Sequence, residues 1–547
     1  ESGANAEQSL QIVTELLNQG KVVCLFPEGT ISRTGHLAEF RRGYERAARL
    51  ASKDVVIQPF YLRGLWGSQF SRSSDKLKSL RSRSGGRDLI VSFGELLDKD
   101  TEVDLLKRRV LDLSIDSWSG YADSLPTLPM AWMETIKQCS SDMVVANSRN
   151  TLLPEASLSG LDALLAARKI SQHVRQQATG KNIALLLPPS AQAVQVTMGL
   201  LMRGKAAVPL NPKINAQGWS EVISTARIKT LYTSRAYLEQ LNSAGFDSES
   251  HLNNLDVHYL EDMSLIGNPV TRRLESIAFR LLPLSITQRW WCRNTSSVKT
   301  AAILFNQTDD NQLEGVKLSH KNIMSNIKQL SDVLNTEERD VMINADDIHS
   351  ANGFITCQLL PLIEGIPLVC VPDANDTLAI SKIIARYRVT LMSGSVGALE
   401  HFMNHEKLHP LMLESLRVVV GVHAKDNQRK DLSTEFQQKF SKPILEAFCP
   451  TPSSPIVSIN LPDALDFDSW RVQLGGKAGT LGMPLPGSSV KIVDPETDQE
   501  AETGALGEIQ FGGVQIMQRF GVEKDQEQWM STESQGYLDE DGFLCVH

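Results

Sequence analysis

The residues best suited to chemistry lie close together in the run Phe26-Pro27-Glu28-Gly29-Thr30-Ile31-Ser32-Arg33-Thr34-Gly35. The apolar stretch Val22 to Phe26 predicts a short buried strand that Pro27 and Gly29 stop and turn. Glu28 then stands at the strand end, with two hydroxyls, Thr30 and Ser32, and the cation Arg33 beside it. Glycines let backbone N–H groups approach a ligand, and with hydroxyls and a guanidinium they suit an oxygen-rich anion such as a phosphate headgroup. An ordinary strand-to-helix turn with a solvated Glu fits the same spacing, and residue types alone leave both readings open.

Phe26-Pro27-Glu28-Gly29-Thr30, the Ser32-Arg33-x-Gly35 that follows and the strand Val55 to Phe60 resemble two blocks of the glycerolipid acyltransferases, which acylate glycerol phosphates and lysophospholipids. The resemblance implies that Phe26, Pro27, Glu28, Gly29, Thr30, Ser32 and Arg33 bind the acceptor's glycerol and phosphate. Ile31 departs from the family's Arg, so phosphate contact is expected to fall on Arg33 and on Arg41 or Arg42. That family's general base is a His-x-x-x-x-Asp motif upstream of this block, where an Asp-oriented imidazole deprotonates the attacking hydroxyl. The spacing occurs here at His251 and Asp256, far downstream, and is read as coincidence.

A chain of 547 residues allows more than one domain. Hydrophobic content of 41% is that of a globular protein, and a net charge of −9 gives no reason to expect nucleic acid. Seven cysteines show no metal-ligand spacing and read as reduced core residues. No apolar run is long enough to cross a membrane as a helix. The chain opens on Glu1 rather than Met and closes just after the strand-like Gly542 to Cys545, so it is expected to be a fragment.

Helical spacing over residues 7–19 precedes the motif, and a helix over 40–51 and a strand over 55–62 follow it. Lys76 to Arg87 is basic and poorly periodic, either a solvated loop or a patch that meets anionic lipid. The prolines of Asp123-Ser124-Leu125-Pro126-Thr127-Leu128-Pro129 predict a linker. The expected domains are therefore 1–122 and 151–547, joined by 123–150. Beyond the linker, strands alternate with helices from Lys181 to Gly421, the pattern of a large α/β region with a mostly parallel sheet. Residues 271–293 interleave arginines with Leu274, Ile277, Phe279, Trp290 and Trp291, fitting either a membrane-interface segment or a core helix flanked by arginines, broken at Pro283.

From about residue 150 onward the segments resemble the adenylate-forming acyl-activating enzymes, in particular the synthetase half of the bifunctional 2-acylglycerophosphoethanolamine acyltransferase/acyl-[acyl carrier protein] synthetases. The resemblance rests on Ala302 to Phe305 leading to Gly315-Val-Lys-Leu-Ser-His-Lys-Asn322, on Ile444 to Phe448, on Gly479-Thr-Leu-Gly482 with Pro486-Gly487, and on Gly536 to Phe543. It implies an α/β fold in which a truncated acyltransferase-like domain precedes a large adenylate-forming domain with mostly parallel sheets, lacking its C-terminal lid. ATP and Mg²⁺ are the cofactors it implies.

The positions that should hold ATP are altered. The phosphate loop reads Asn306-Gln-Thr308-Asp-Asp-Asn-Gln-Leu-Glu314 before Gly315, without the expected cation and with carboxylates that repel a triphosphate. After Phe448 the family's metal-binding Thr-Glu reads Thr451-Pro452, and its ribose-binding Thr-Gly-Asp reads Thr532-Glu533-Ser534. His349 keeps its place behind Asp346-Asp347. These residues define a degenerate nucleotide site at Thr308, Glu314, Gly315, His349, Phe448, Thr451 and Ser534 that is expected not to bind Mg-ATP, with no metal ligand set.

The expected function is acylation of a lysophospholipid from acyl carrier protein or acyl-CoA, at a membrane surface on the cytoplasmic face of the inner membrane, either peripherally or through further N-terminal sequence. The alternative is a non-catalytic pseudo-synthetase that binds lipid or acyl carrier protein, and a decaying gene product is a third possibility that the intact strand pattern opposes.

Overall fold

The computed structural model describes residues 3–52, 54–82, 87–139, 144–147, 156–263, 268–307, 312–424, 432–467, 470–519 and 529–547. Among these, two large sheets carry the second part of the chain. In the first, strands run in the order Asp256–Tyr259, Thr230–Thr233, Asn182–Leu186, Ala206–Pro209 and Thr300–Gln307, all parallel, and end in the antiparallel Leu313–Ser319 and Gln518–Arg519. The second has a parallel centre formed by Ile444–Cys449, Val418–Ala424, Leu391–Ser395, Met342–Asn344, Leu368–Cys370 and Val144–Asn147. Central strands such as Asn182–Leu186, Ala206–Pro209 and Val418–Ala424 are mostly apolar and buried, as a sheet covered on both faces requires. The Gly160–Gln177 and Ala191–Leu201 helices fill the core with these sheets, each started by a serine that caps the helix, Ser159 and Ser190. A four-stranded antiparallel sheet, Ser488–Val493, Gly507–Gly513, Trp529–Leu538 and Leu544–Val546, closes the C-terminal side around Phe448 and Phe511.

The motif-bearing part is built differently from the expectation. The helices Gly3–Asn18 and Gly43–Leu50 flank it, and two short antiparallel pairs, Val56–Ile57 with Leu97–Asp98 and Phe60–Arg63 with Ile90–Phe93, stand behind it. The run Val22 to Phe26 is not a buried strand. It is an extended segment in which Val22 is 101% and Phe26 is 61% exposed. Among the described residues no strand pairs with it, so apolar composition alone could not bury it.

Residues 123–150 are also not an open linker. Leu128–Cys139 is a helix whose Leu128, Trp132, Met133 and Ile136 lie in the main core, and whose Thr135 hydroxyl donates to the Ile363 carbonyl at 2.7 Å. Pro129 sits in the first helical turn, where a missing N–H costs nothing. Val144–Asn147 then joins the nine-stranded sheet.

The Val103–Ser124 helix ties the two parts together. On one side Ser117 meets Ser92 at 2.7 Å and Trp118 and Tyr121 stack on Arg63. On the other, Asp112 accepts from the Ser489 hydroxyl at 2.7 Å and the Gly487 amide donates to Ser114 at 3.2 Å. Gly487, at φ +83, lies so close to Trp118 that a Cβ would fall 2.2 Å from the indole.

Lys76, Lys78 and Arg81 of the basic run lie on the Asp75–Ser82 helix, Arg87 follows it, and Arg83 lies outside the described residues. Arg81 pairs with Asp332 at 2.8 Å and Arg87 donates to the Gly64, Trp66 and Gly67 carbonyls, so these two arginines are not part of a free cationic patch. Residues 271–293 form Pro269–Leu281 and Leu284–Trp291, broken at Pro283. Phe279 and Trp291 stack in the core, while Val270, Leu274, Ile277, Leu281 and Trp290 stay exposed.

Candidate functional site

Two regions gather the residues singled out in the sequence. The first surrounds the Phe26 to Gly35 loop. Phe26, Pro27, Glu28, Gly29, Thr30 and Ser32 line a largely apolar cavity of about 1190 Å³, together with Phe60, Tyr61 and Val110. Phe26 meets Phe60 edge to face at 5.8 Å. The Glu28 carboxylate accepts the Ala38 amide at 2.7 Å; burial pushes its pKa up, against the pull of that hydrogen bond and of Lys107. Gly29, at φ +64, leaves room for Arg41, whose guanidinium carbon would be 3.0 Å from an added Cβ.

Arg33 and Ser32 do not stand open to a ligand. Arg33 pairs with Asp466 at 2.5 Å, and its amide donates to Gln473 Oε1 at 2.7 Å. Ser32 donates to the His36 carbonyl at 2.7 Å. Asp466 and Gln473 belong to the hairpin Ala464–Asp466 and Arg471–Gln473, more than four hundred positions away in sequence, and Gln473 also donates to the Thr34 hydroxyl at 2.9 Å. An isolated arginine in a loop looked like a phosphate ligand because nothing local announced this partner. The Arg41 guanidinium lies over Gly29 at the motif.

The second region is the C-terminal edge of the nine-stranded sheet, where ligands of open parallel sheets commonly bind. His349 follows the strand Met342–Asn344, its Nε2 4.0 Å from the Asp347 carboxylate, with its pKa lowered by burial. The Ala351 amide donates to the Pro452 carbonyl at 2.8 Å, bringing the His349 segment against Thr451-Pro452. The Thr451 hydroxyl is bonded to Ser454 at 2.8 Å, and Phe448 is fully buried against Phe511. Glu314 and Gly315 lie in the Leu313–Ser319 strand opposite Asn306 and Phe305. Ser534 is buried in the Trp529–Leu538 strand, its amide donating to Thr532 Oγ1 at 3.2 Å. Thr308 lies outside the described residues, as do Asp309 and Asp310. Among the described residues, no hydrogen bond or ion pair joins Glu314 or Ser534 to His349 or Thr451. His251 and Asp256 are not paired either: Asp256 meets His258 at 3.0 Å and His251 stacks on Phe246, in keeping with a coincidental spacing.

Buried carboxyl groups also line this edge. Asp346 accepts from Asn352 at 2.6 Å and from the Asp347 amide at 2.9 Å, and burial pushes its carboxyl up to about 6. Asn352 in turn accepts from Ser393 at 2.7 Å and opens a π-helical stretch, Asn352–Leu359, a geometry frequent at functional sites. Glu446, inside an otherwise apolar strand, is pushed up to about 7 by burial. A lone carboxylate in the run Ile444 to Cys449 was the available signal for it.

Residues 1–63 match the model of the acyltransferase family, and residues 314–520 match that of the AMP-binding enzymes. This chain joins an acyltransferase segment to an AMP-binding domain. The long-chain-fatty-acid–CoA ligase of Salmonella typhimurium is 21% identical over 394 residues, 67% of this chain and 67% of the relative. 4-Coumarate–CoA ligase 1 of Petroselinum crispum is 22% identical over 399 residues, covering 70% and 69%. Among solved structures, the anthranilate CoA ligase AuaEII in complex with anthranoyl-AMP superposes with a TM-score of 0.63 at 15% identity, covering 78% of each chain. ATP-bound MatB from Rhodopseudomonas palustris gives 0.60 at 18%, covering 77% and 78%. The α/β fold with parallel-rich sheets is therefore that of the adenylate-forming enzymes.

Proposed function

We propose that this protein acylates a lysophospholipid of the 2-acylglycerophosphoethanolamine type, taking the acyl group from acyl carrier protein or CoA, and that its AMP-binding half serves as a non-catalytic scaffold. The observation that carries the reading is the placement of Glu28, Gly29 and Thr30 on the wall of the apolar 1190 Å³ cavity. Apolar walls with a few convergent polar groups suit a long-chain ligand with a polar end. In the reaction the acceptor hydroxyl oxygen bonds to the thioester carbonyl carbon as the carbon–sulfur bond breaks, and the hydroxyl proton is relayed to the departing thiolate by a base of the His-x-x-x-x-Asp type, which the His251 and Asp256 spacing does not supply. Glu28, held by the Ala38 amide, fixes the acceptor's glycerol, and Arg41 faces its phosphate.

The test is thioester-dependent acylation of lysophosphatidylethanolamine by the natural chain that carries residues 1–547. Glu28→Ala should abolish it; full activity of that variant removes the acceptor site from this cavity.

The AMP-binding family uses ATP and Mg²⁺, but the residues in hand do not fit them. Pro452 stands where the metal carboxylate belongs, the Thr451 hydroxyl is taken by Ser454, and Ser534 offers a buried hydroxyl in place of the ribose carboxylate. Among the described residues no cluster of His, Cys, Asp and Glu is arranged to hold a metal ion. The Asp466 and Gln473 contacts to the acceptor loop favour the scaffold role. Membrane contact belongs to the same proposal. Among the described residues no helix is long and apolar enough to span a bilayer, and the exposed face of Pro269–Leu281, with Arg273 and Arg280 beside Leu274 and Ile277, suits an anionic lipid surface at the cytoplasmic face of the inner membrane. Equal binding to neutral and anionic vesicles would count against it.

A further inference from the structure

His36 is the polar group that the acceptor reading does not use. It lies on the wall of the 1190 Å³ cavity with Glu28 and Ser32, it is only 4% exposed, and neither of its ring nitrogens has a hydrogen-bond partner. A buried polar atom without a partner costs free energy, and such exceptions in a folded protein need an explanation. The protein fixes the loop around this ring while leaving the ring itself unmatched. Ser32 donates to the His36 carbonyl at 2.7 Å, the His36 amide donates to Thr34 Oγ1 at 3.3 Å, and Gln473 donates to that same Thr34 oxygen at 2.9 Å.

The surroundings also fix the ring's charge. Burial, together with nearby Lys107, pushes His36 down to about 3, so the imidazole is neutral at physiological pH. A neutral imidazole carries one N–H donor and one acceptor nitrogen. That pair matches a hydroxyl, which also donates once and accepts. It does not match a carboxylate or phosphate, which only accept, and it does not match an apolar chain. The rest of the cavity wall is largely apolar, so a ligand there brings an alkyl chain into the pocket and its hydroxyl to the polar end.

Resting on the acceptor reading above, we propose that His36 is a ligand-binding and specificity residue, which hydrogen-bonds the free hydroxyl of a single-chain glycerolipid held in the cavity and selects it over chains that lack that hydroxyl. The role is recognition, and no proton transfer by His36 is required.

The experiment is equilibrium dialysis of the folded chain against decanoyl lysophosphatidylethanolamine, kept below its micellar concentration, and against the analogue in which hydrogen replaces the free hydroxyl. The native protein should prefer the hydroxyl compound by about tenfold, the loss expected for one buried hydrogen bond. His36→Phe should bring the two within about twofold, and His36→Gln, which keeps a donor and an acceptor, should retain several-fold preference. Because the ring has no partner within the protein, His36→Phe should melt no lower than the native chain; a clear drop in its melting temperature assigns His36 a structural role and overturns the proposal. Undiminished discrimination by His36→Phe overturns the His36 assignment while leaving the cavity as the acceptor site. Failure of the native chain to bind either compound removes the acceptor site, and the His36 proposal with it.

Discussion

Replacing Asp466 by Ala tests whether the AMP-binding half holds the acceptor loop in place. In the native structure Asp466 meets Arg33 at 2.5 Å with the two side chains only 12% and 16% exposed, while Gln473 anchors the Arg33 amide and the Thr34 hydroxyl. Breaking a fully buried pair costs about 3–5 kcal/mol, because the remaining charge is left uncompensated. Residual exposure of both groups lets water take over part of the solvation, so about 2 kcal/mol is expected here. The cost should be local. The amides that report it are Arg33, bonded to Gln473, Gly35, bonded to Ser32, and Ala38, bonded to Glu28. Native-state hydrogen exchange at these positions should speed up about 30-fold in Asp466→Ala, since each 1.4 kcal/mol is a factor of ten. Arg33→Ala should do the same, and the double variant should lose clearly less than the sum, because removing both partners leaves no orphaned charge. The reasoning fails if exchange at the three amides is unchanged, or if the two single effects add within about 0.5 kcal/mol.

Glu364 is buried between Lys328 at 2.6 Å, the Ser331 hydroxyl at 2.8 Å and Arg81 at 3.6 Å, which together, despite the opposing effect of burial, hold its carboxyl down to about 2. A depressed carboxyl contributes stability that is present above its ordinary 4.5 and lost as pH falls toward 2, so Glu364→Gln should lower the denaturation midpoint by the equivalent of about 3 kcal/mol at pH 7, with the gap narrowing near pH 3. A gap that is constant with pH would refute the pairing. Trp132→Ala should cost about 3–5 kcal/mol, as a core truncation does, whereas less than about 0.5 kcal/mol would return residues 123–150 to the status of a linker. Calorimetric titration with Mg-ATP should give no binding heat and fatty acid should release no pyrophosphate, each lost charge-assisted contact costing about 1.5–3 kcal/mol; turnover would restore the domain to the working synthetases.

Much of the fold was legible in the chain. The strands Asn182–Leu186, Ala206–Pro209 and Val418–Ala424 and the helix Gly160–Gln177 fall where apolar runs and periodicity place them, because a doubly covered parallel sheet leaves an unmistakable run of buried residues. Motif turns also left their mark. Glu533, a residue with a side chain, adopts φ +60 between Thr532 and Ser534, a left-handed turn of the kind that glycine favours. Two segments misled for opposite reasons. Val22 to Phe26 has the composition of a buried strand, but among the described residues no strand stands beside it, and Leu128–Cys139 carries the linker-like Pro129 yet buries Trp132.

Composition and periodicity along the chain set most of the elements and supplied the carboxylate Glu28 and the turn at Gly29, with Glu314, Pro452 and Ser534 standing where the resemblance expects contacts to ATP. Tertiary structure alone decided what those side chains meet. Arg33, read locally as a ligand for phosphate, is neutralised by Asp466; Arg81, read as a surface cation, is enclosed by Asp332 and Glu364; and His36, unremarked in the sequence, is left buried and unmatched on a cavity wall. Periodicity records burial along one element, but charge pairing and hydrogen bonding are settled by groups hundreds of residues apart, and only the folded chain brings those groups within reach.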